Sequence, residues 1–370
     1  MKDSTLFLFK SFNDIDHISP LLWYALEKQQ RVIILWFGKD EIARYGIIAP
    51  LIQKYSIQVI SMNQTSRYKK WLCWNVLSCL IFLRRNKVKR LVSDWFNPKW
   101  KEMKGHLFFA SRFLGIKTFA LPHGYFVFTN DSFNQSGNST EKTNAFSNRN
   151  KFHRYYLNHR AHRDVFLKRG LDKAICRING NMRFSKKWHQ KLMKDYFVQE
   201  GPTTKIIFFT PHWSYNVDKE ETLILLNALI EKYSSDEFKI IEHTRGSGSL
   251  DKRIFSSYLY CDNALSGEII KNTDIIISFG SSIIFEAILQ QKHVINPRYL
   301  HSNSTLFDQY DAINSTASKQ ETMDRITKLI SAKKEINIEQ YQHIIQQHIN
   351  LNRDEDSITS FYDQIFSSTN

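Results

Sequence analysis

Residues 274–298 read DIIISFGSSIIFEAILQQKHVINPR. A continuous apolar run over 275–279 leads into a turn of small residues, Gly280, Ser281 and Ser282. A segment of helical period follows over 283–291, and a second short apolar run over 293–296. Continuous apolar runs mark strands buried on both faces, so the stretch predicts a βαβ unit of a parallel sheet. Ser281 or Ser282 falls at the N-cap of its helix, where unpaired N–H groups and the positive dipole end favour an anion such as phosphate. Glu286, about one turn further on, is placed to accept hydrogen bonds from a ribose beside that phosphate. The same residues also suit an ordinary βαβ unit in which the serines only cap and Glu286 is solvated.

The alternation extends in both directions. Towards the amino terminus, apolar runs at 6–9, 31–37, 57–61, 90–93 and 117–121 predict strands, with helices over 18–29, 42–55, 71–83 and 101–114 between them. Residues 12–17 precede the first helix as a loop rich in capping side chains. The rhythm stops over 126–150, a polar stretch with no apolar period, and resumes with strands at 154–157 and 174–178. Gly201-Pro202-Thr203-Thr204 is short, polar and helix-breaking, and reads as an interdomain linker. A second set of strands follows at 206–210 and 239–243, before the βαβ unit. The reading is an α/β chain of two Rossmann-like domains, 1–200 and 205–350, with a final helix within 351–370 packing back.

Composition narrows the function. Hydrophobic residues at 42% and aromatics at 14% support packed cores and exclude a disordered chain. Lys and Arg total 51 against 36 for Asp and Glu, a formal charge of +15 that favours an anionic partner. Cys73, Cys79, Cys176 and Cys261 form no CxxC pair, which points away from zinc and towards reduced thiols. The apolar segment 71–83 is too short to span a bilayer, and no signal-peptide apolar region opens the chain. Lys69, Lys70, Arg84, Arg85, Lys87, Lys89 and Arg90 flank that segment. It suits either a core helix with a solvated basic end or a helix lying on an anionic membrane.

In open parallel sheets, ligands bind beyond the carboxyl ends of the strands. In the first half those positions hold Asp14, Asp16, His17, Asp94, His123, Gly124, Asn181 and Arg183. In the second half they hold His212, Trp213, His243, Arg245, Gly246, Ser281, Ser282, Glu286, Arg298, His301 and Asn303. His123 in Pro122-His123-Gly124 is a candidate general acid or base, since imidazole exchanges a proton near neutral pH. Asp94 reads as a base or a turn residue. Asp14 and Asp16 form a D-x-D that helix capping explains, though its position also allows contact with substrate. Asp218 reads as a nucleophile or base, or more simply as the N-cap of the next helix. His243 and Arg245 flank Thr244 and offer donors suited to phosphate. Trp213 reads as a core tryptophan before a base-stacking one.

Two Rossmann-like halves, Pro122-His123-Gly124 closing the first sheet, His243-Thr244-Arg245-Gly246 in the second, and GSSIIFEAILQQKHVINP at 280–297 together resemble the GT-B glycosyltransferases. Within them the chain is similar to enzymes of bacterial capsule and lipopolysaccharide assembly. Nearest are transferases that use CMP-linked 3-deoxy-octulosonic acid (Kdo), and more distantly the CDP-glycerol glycerophosphotransferases. The resemblance implies two domains facing each other across a cleft. It implies that Ser281 and Ser282 hold the donor phosphate, Glu286 the ribose, and His243 with Arg245 the phosphate or a sugar carboxylate. His212 joins that nucleotide-binding set. His123 and Asp94 would face the acceptor, with Asp16 and Asp218 as further catalytic candidates. The chain departs from many relatives in carrying threonine after His243, where they carry proline.

The implied activity is transfer of a sugar from a nucleotide donor, CMP-linked by preference, to a surface glycan or lipid-linked acceptor. No metal or other cofactor is expected, because helix ends, His and Arg suffice for a departing phosphate. The implied place is the cytoplasm, including the inner face of the cytoplasmic membrane. A nucleotide-sugar epimerase shares the architecture, and a CDP-polyol phosphotransferase the phosphate site. A nucleic-acid partner is not expected, since the basic residues are dispersed and no recognition motif is present.

Overall fold

The computed structural model describes residues 3–62, 75–122, 124–129, 146–197, 204–213, 216–242, 250–260, 265–332, 335–351 and 354–367. The chain divides into two compact units. Unit 1 comprises Met1–Tyr125, Thr140–Trp188 and Gln347–Asn370; unit 2 comprises Phe126–Ser139 and His189–Gln346. The sequence reading placed the exchange at 200/205 and at 350. The compact units instead change over at Trp188/His189 and at Gln346/Gln347.

Unit 1 is built on a seven-stranded parallel sheet, among the described residues, of β1 (Ser4–Phe9), β2 (Arg31–Trp36), β3 (Gln58–Ser61), β4 (Val88–Asp94), β5 (Lys117–Leu121), β6 (Arg154–Leu157) and β7 (Cys176–Ile178). Its order is β3-β2-β1-β4-β5-β6-β7. Every residue of β1 is buried, as its unbroken apolar run requires in a sheet covered on both faces. Helices α1 (Phe12–Glu27), α2 (Ala49–Tyr55), α3 (Val76–Arg85), α4 (Met103–Phe113) and α5 (Arg160–Lys168) connect the strands. α6 (Lys186–Asp195) carries the chain on from unit 1.

Two helices begin elsewhere than the sequence suggested. The loop expected over 12–17 is the first turn of α1. Ser11 is its N-cap, and Asp14 Oδ2 accepts from the Lys10 and Ser11 amides at 2.7 and 3.1 Å. That capping box, with Ile15, Ile18, Leu21 and Leu22 buried below it, carries the helix through Pro20 despite the lost backbone bond. In the second case, Pro50 is tolerated only in a first turn, so α2 starts at Ala49 and a short 3-10 turn, Ile42–Arg44, precedes it.

Unit 2 holds a six-stranded parallel sheet, among the described residues, of β8 (Thr204–Phe209), β9 (Phe238–Ile241), β10 (Leu259–Tyr260), β11 (Thr273–Ile277), β12 (His293–Pro297) and β13 (Ser315–Thr316). Its order is β10-β9-β8-β11-β12-β13. Helices α7 (Lys219–Lys232), α8 (Lys252–Phe255), α9 (Ser266–Lys271), α10 (Ile283–Leu289), α11 (Lys319–Ala332) and α12 (Ile338–His348) complete it, the last running on to unit 1. The βαβ unit read from 274–298 is β11-α10-β12, paired in parallel from Ile275↔His293 to Ile277↔Ile295.

The final helix, α13 (Ser357–Tyr362), belongs to unit 1. Asn179 Oδ1 accepts from Ser360 Oγ at 2.9 Å and from Gln364 Nε2 at 2.7 Å, and Arg90 donates to the Ile365 and Phe366 carbonyls. Gly180, at φ +76°, lets this join close: a Cβ there would stand 1.8 Å from the Ile349 carbonyl oxygen. Cys79 and Cys176 are free and buried, and burial pushes their thiols up to about 12 and about 11, so they are inert at neutral pH. Cys73 and Cys261 lie outside the described residues.

Candidate functional site

In each sheet the chain works outward on one side, then returns and works outward on the other. The reversal falls between β1 and β4 in unit 1 and between β8 and β11 in unit 2. At such a switch point the loops beyond the strand ends diverge and leave a crevice. Chemistry-bearing side chains collect at both.

At the β1/β4 end, Asp94 closes β4 and its Oδ1 accepts from Lys104 Nζ of α4 at 3.3 Å. Lys104 is buried, its ammonium 5.4 Å from the Phe37 ring centre and 5.6 Å from that of Phe96. Asp14 completes the cluster. Burial above all, and then the charge of Asp94, raise its pKa to about 6, against Lys104 and the Lys10 and Ser11 amides. A carboxyl poised near neutrality beside a lysine-held carboxylate is a composition suited to general acid–base work.

The raised pKa of Asp14 has a consequence for stability. A carboxyl with its pKa lifted from 3.8 to about 6 on folding stabilises the native state below pH 3.8 and loses that contribution as pH rises through about 6. Stability of the wild type is therefore expected to fall between about pH 4 and 7 by on the order of 2 kcal/mol more than that of Asp14→Asn. Urea midpoints at stepped pH test this; parallel curves for the two proteins would refute it.

Asp16, a catalytic candidate in the sequence, is held in an ion pair. Its Oδ2 pairs with Arg183 Nε at 3.0 Å, and both side chains are nearly buried. Nearby, Asn158 Nδ2 donates to the Gly124 carbonyl at 2.6 Å and Asn181 Nδ2 to Asn158 Oδ1 at 3.2 Å. This buried amide chain anchors the backbone after His123, itself outside the described residues.

At the β8/β11 end, unit 2 contains a recess of about 60 Å³ lined by Phe128, Thr210, Pro211, His212, Val217, Phe279, Gly280, Ser281 and His301. Among the described residues no carboxylate lines it. His301 is 8% exposed, stacked on Phe279 at 5.5 Å and edge-on to Phe128 at 6.0 Å. Its Nδ1 accepts from the Asn303 amide at 3.1 Å, which leaves the proton on Nε2. Among the described residues that buried Nε2 has no hydrogen-bond partner. Burial holds the His301 pKa below the ordinary 6.5, with Asp308 opposing, so Nε2–H is a neutral donor at pH 7. Ser281 Oγ accepts from the Ile283 amide at 3.3 Å and keeps its hydroxyl proton to donate. Gly280, at φ +60°, leaves the space open, because a Cβ there would meet the Phe128 ring at 3.1 Å. The recess is thus donor-lined and apolar-walled, and of a size for one phosphate or carboxylate group rather than a whole nucleotide.

The expected nucleotide-binding residues separate. His212 and Ser281 line the recess, whereas Ser282 sits at the N-cap position of α10 without a side-chain cap bond. Glu286 is half-buried and is not in the recess lining: its Oε2 accepts from Ser266 Oγ of α9 at 2.8 Å. Its charge also bears on His189, whose pKa burial lowers and Glu286 pushes back up. Asp218 is the helix cap that its position suggested, accepting from the Glu221 amide at 3.0 Å. Trp213 packs against the unit-2 core, with Lys219 Nζ 5.7 Å from its ring centre. His243 and Arg245 lie outside the described residues. Among the described residues no three His, Cys, Asp or Glu side chains gather as metal ligands.

Sequence reasoning missed Lys104, Thr210 and Phe128. Thr210 carried a usable signal, since it directly follows a strand and precedes a proline. Lys104 interrupts an apolar helix face, a milder signal. Phe128 had none, lying in the stretch without a period.

No protein-family model and no curated protein sequence matches the chain. Solved structures do match in fold. A UDP-GlcNAc 2-epimerase from Neisseria meningitidis, bound to UDP-GlcNAc, has 13% identity and a TM-score of 0.61, with 99% of this chain and 100% of that chain covered. A glycosyltransferase from Rickettsia africae has 14% identity and a TM-score of 0.58, each chain covered in full. An Anabaena protein in complex with UDP and glucose has 14% identity and a TM-score of 0.59, covering 99% of this chain and 100% of that one. Matched over nearly their whole lengths, these structures bear out the two Rossmann-like domains of the GT-B fold.

Proposed function

We propose that the chain is a glycosyltransferase that takes a sugar from a nucleotide donor to a glycan or lipid-linked acceptor. The observation that carries this reading is the donor-lined recess of unit 2 at the β8/β11 switch point, where a buried imidazole N–H has no partner. A phosphate oxygen of the donor satisfies that N–H and the Ser281 hydroxyl, and takes up the charge that develops as the sugar–phosphate bond breaks. Asp94 accepts the proton of the acceptor hydroxyl, the sugar bonds to that oxygen, and the nucleotide leaves with the electron pair. Glu286, one turn into the helix that follows Ser281, and its partner Ser266 of α9 are the candidates for the ribose. The bound nucleotides named for the Neisseria and Anabaena structures support a nucleotide-sugar ligand. Resemblance of the sequence to the Kdo transferases makes a CMP-linked acidic sugar the first donor to try.

Thermal melting with CMP, CDP, UDP, GDP and ADP, with and without EDTA, tests the reading. A ligand present at 100 times its Kd and bound only by the native state adds about 2.7 kcal/mol of stability, a shift of a few degrees. We expect one nucleotide to raise the melting temperature selectively and to do so equally in EDTA. A CMP-selective rise supports the acidic-sugar donor, and a CDP-selective rise points to polyol-phosphate transfer. No rise with any nucleotide defeats the proposal. Conversion of a nucleotide sugar without any acceptor would make the enzyme an epimerase.

A further inference from the structure

Helix α3 divides into two faces. Cys79 and Leu83 are buried in the unit-1 core together with Leu107 and Ala110 of α4. On the other side Leu77 and Ile81 are 66% and 45% exposed, and with Arg84 and Arg85 they follow one helical stripe. The neighbouring α4 ends in the exposed Arg112 and in Phe113, which is 77% exposed. Between the ends of these helices lies a recess of about 540 Å³ whose lining includes Leu83, Arg84, Lys87, Lys89, Leu114 and Asp3. Three basic residues there face one carboxylate. Asp3, Val88 and Ile116 place this recess at the amino ends of β1, β4 and β5, the opposite end of the sheet from Asp94.

We infer that this face docks on an anionic lipid bilayer. Leu77, Ile81 and Phe113 enter the headgroup boundary, while Arg84, Arg85, Lys87 and Lys89 meet lipid phosphates, their aliphatic stems lying along the same apolar surface. The charge pattern selects this occupant. A protein interface is depleted of charge at its core, whereas here Leu77 and Ile81 share their helix stripe with Arg84 and Arg85, and Phe113 adjoins Arg112. Single-stranded nucleic acid needs a stacking platform, which the described residues of this face, two aliphatic side chains and one phenylalanine, do not form. Among the described residues no helix is long and apolar enough to cross a membrane, so the contact is with the surface. The docking face and the Asp94 cluster lie at opposite ends of the same strands and are separable by mutation.

Co-sedimentation of the 370-residue chain with phosphatidylcholine vesicles, with and without phosphatidylglycerol, tests the inference. Binding is expected only with phosphatidylglycerol and is expected to weaken as salt is raised. Each basic residue near the surface strengthens partitioning roughly fivefold, so Arg84→Glu with Arg85→Glu is expected to cost at least about tenfold. Leu77→Ser, Ile81→Ser and Phe113→Ser together are expected to weaken binding as well, with an unchanged melting temperature in both variants because every altered side chain is exposed. Absence of binding, equal binding to neutral vesicles, or binding unaffected by either variant would overturn the inference. So would tighter binding to single-stranded DNA than to the anionic vesicles, or a solution dimer that the serine variant abolishes.

Discussion

Asp94→Asn is expected to lower kcat by about 10²- to 10⁴-fold, the range for removal of a positioned general base. The substitution is nearly isosteric and still accepts a hydrogen bond from Lys104, so the 3.3 Å contact has a partner to keep. What disappears is the carboxylate charge. Two effects follow. The acceptor hydroxyl loses its proton acceptor, and the pKa of Asp14 moves back down because the charge of Asp94 helps to raise it. Turnover under saturating nucleotide sugar, together with nucleotide affinity by calorimetry, separates the roles. A large loss of kcat with unchanged nucleotide affinity supports the base. A loss of affinity and melting temperature alone would make Asp94 a structural partner of Lys104, and full activity would remove it from the site.

His301→Phe is expected to weaken nucleotide binding by about 10- to 100-fold, the equivalent of one hydrogen bond to a charged group. Phenylalanine preserves the aromatic stack on Phe279 and the edge contact with Phe128, so the fold keeps its apolar walls. It removes the Nε2–H donor at the recess and the acceptor for the Asn303 amide. His301→Gln restores a donor on a side chain without a ring, and partial recovery of affinity in that variant would distinguish donation from packing. Since the donor is neutral, the wild-type affinity is not expected to fall between pH 7 and 8 as a charged imidazolium's would. Unchanged affinity in both variants would take His301 out of the nucleotide site and leave the recess without its central contact.

The two clusters behind these predictions were legible to different degrees. Asp94, His212 and Ser281 were nameable as candidates because strand ends are readable from apolar periods, and ligands gather beyond strand ends. Asp14 was seen but placed in a loop. The capping box that makes it the first turn of α1 depends on Ser11 and Asp14 together, with burial below them. Glu286 was found at the correct turn of α10, yet its partner Ser266 belongs to α9, a short helix whose apolar pattern gave no warning of it. Lys104 looked like one more base of a basic chain until packing set it against Asp94 and two aromatic rings.

The sequence by itself determined the alternation of buried strands and helices, the parallel sheets, and the small-residue turn before α10. Each of these is written in local periods of apolar residues and in turn chemistry. Tertiary structure alone decided that Asp14 meets Asp94, that His301 sets a buried Nε2 beside Gly280, and that Asp16 pairs with Arg183. Those meetings follow from strand order and from the burial of particular side chains. Residues far apart in the chain become neighbours only when β1 pairs with β4 and β8 with β11, and no local period encodes which strand lies beside which.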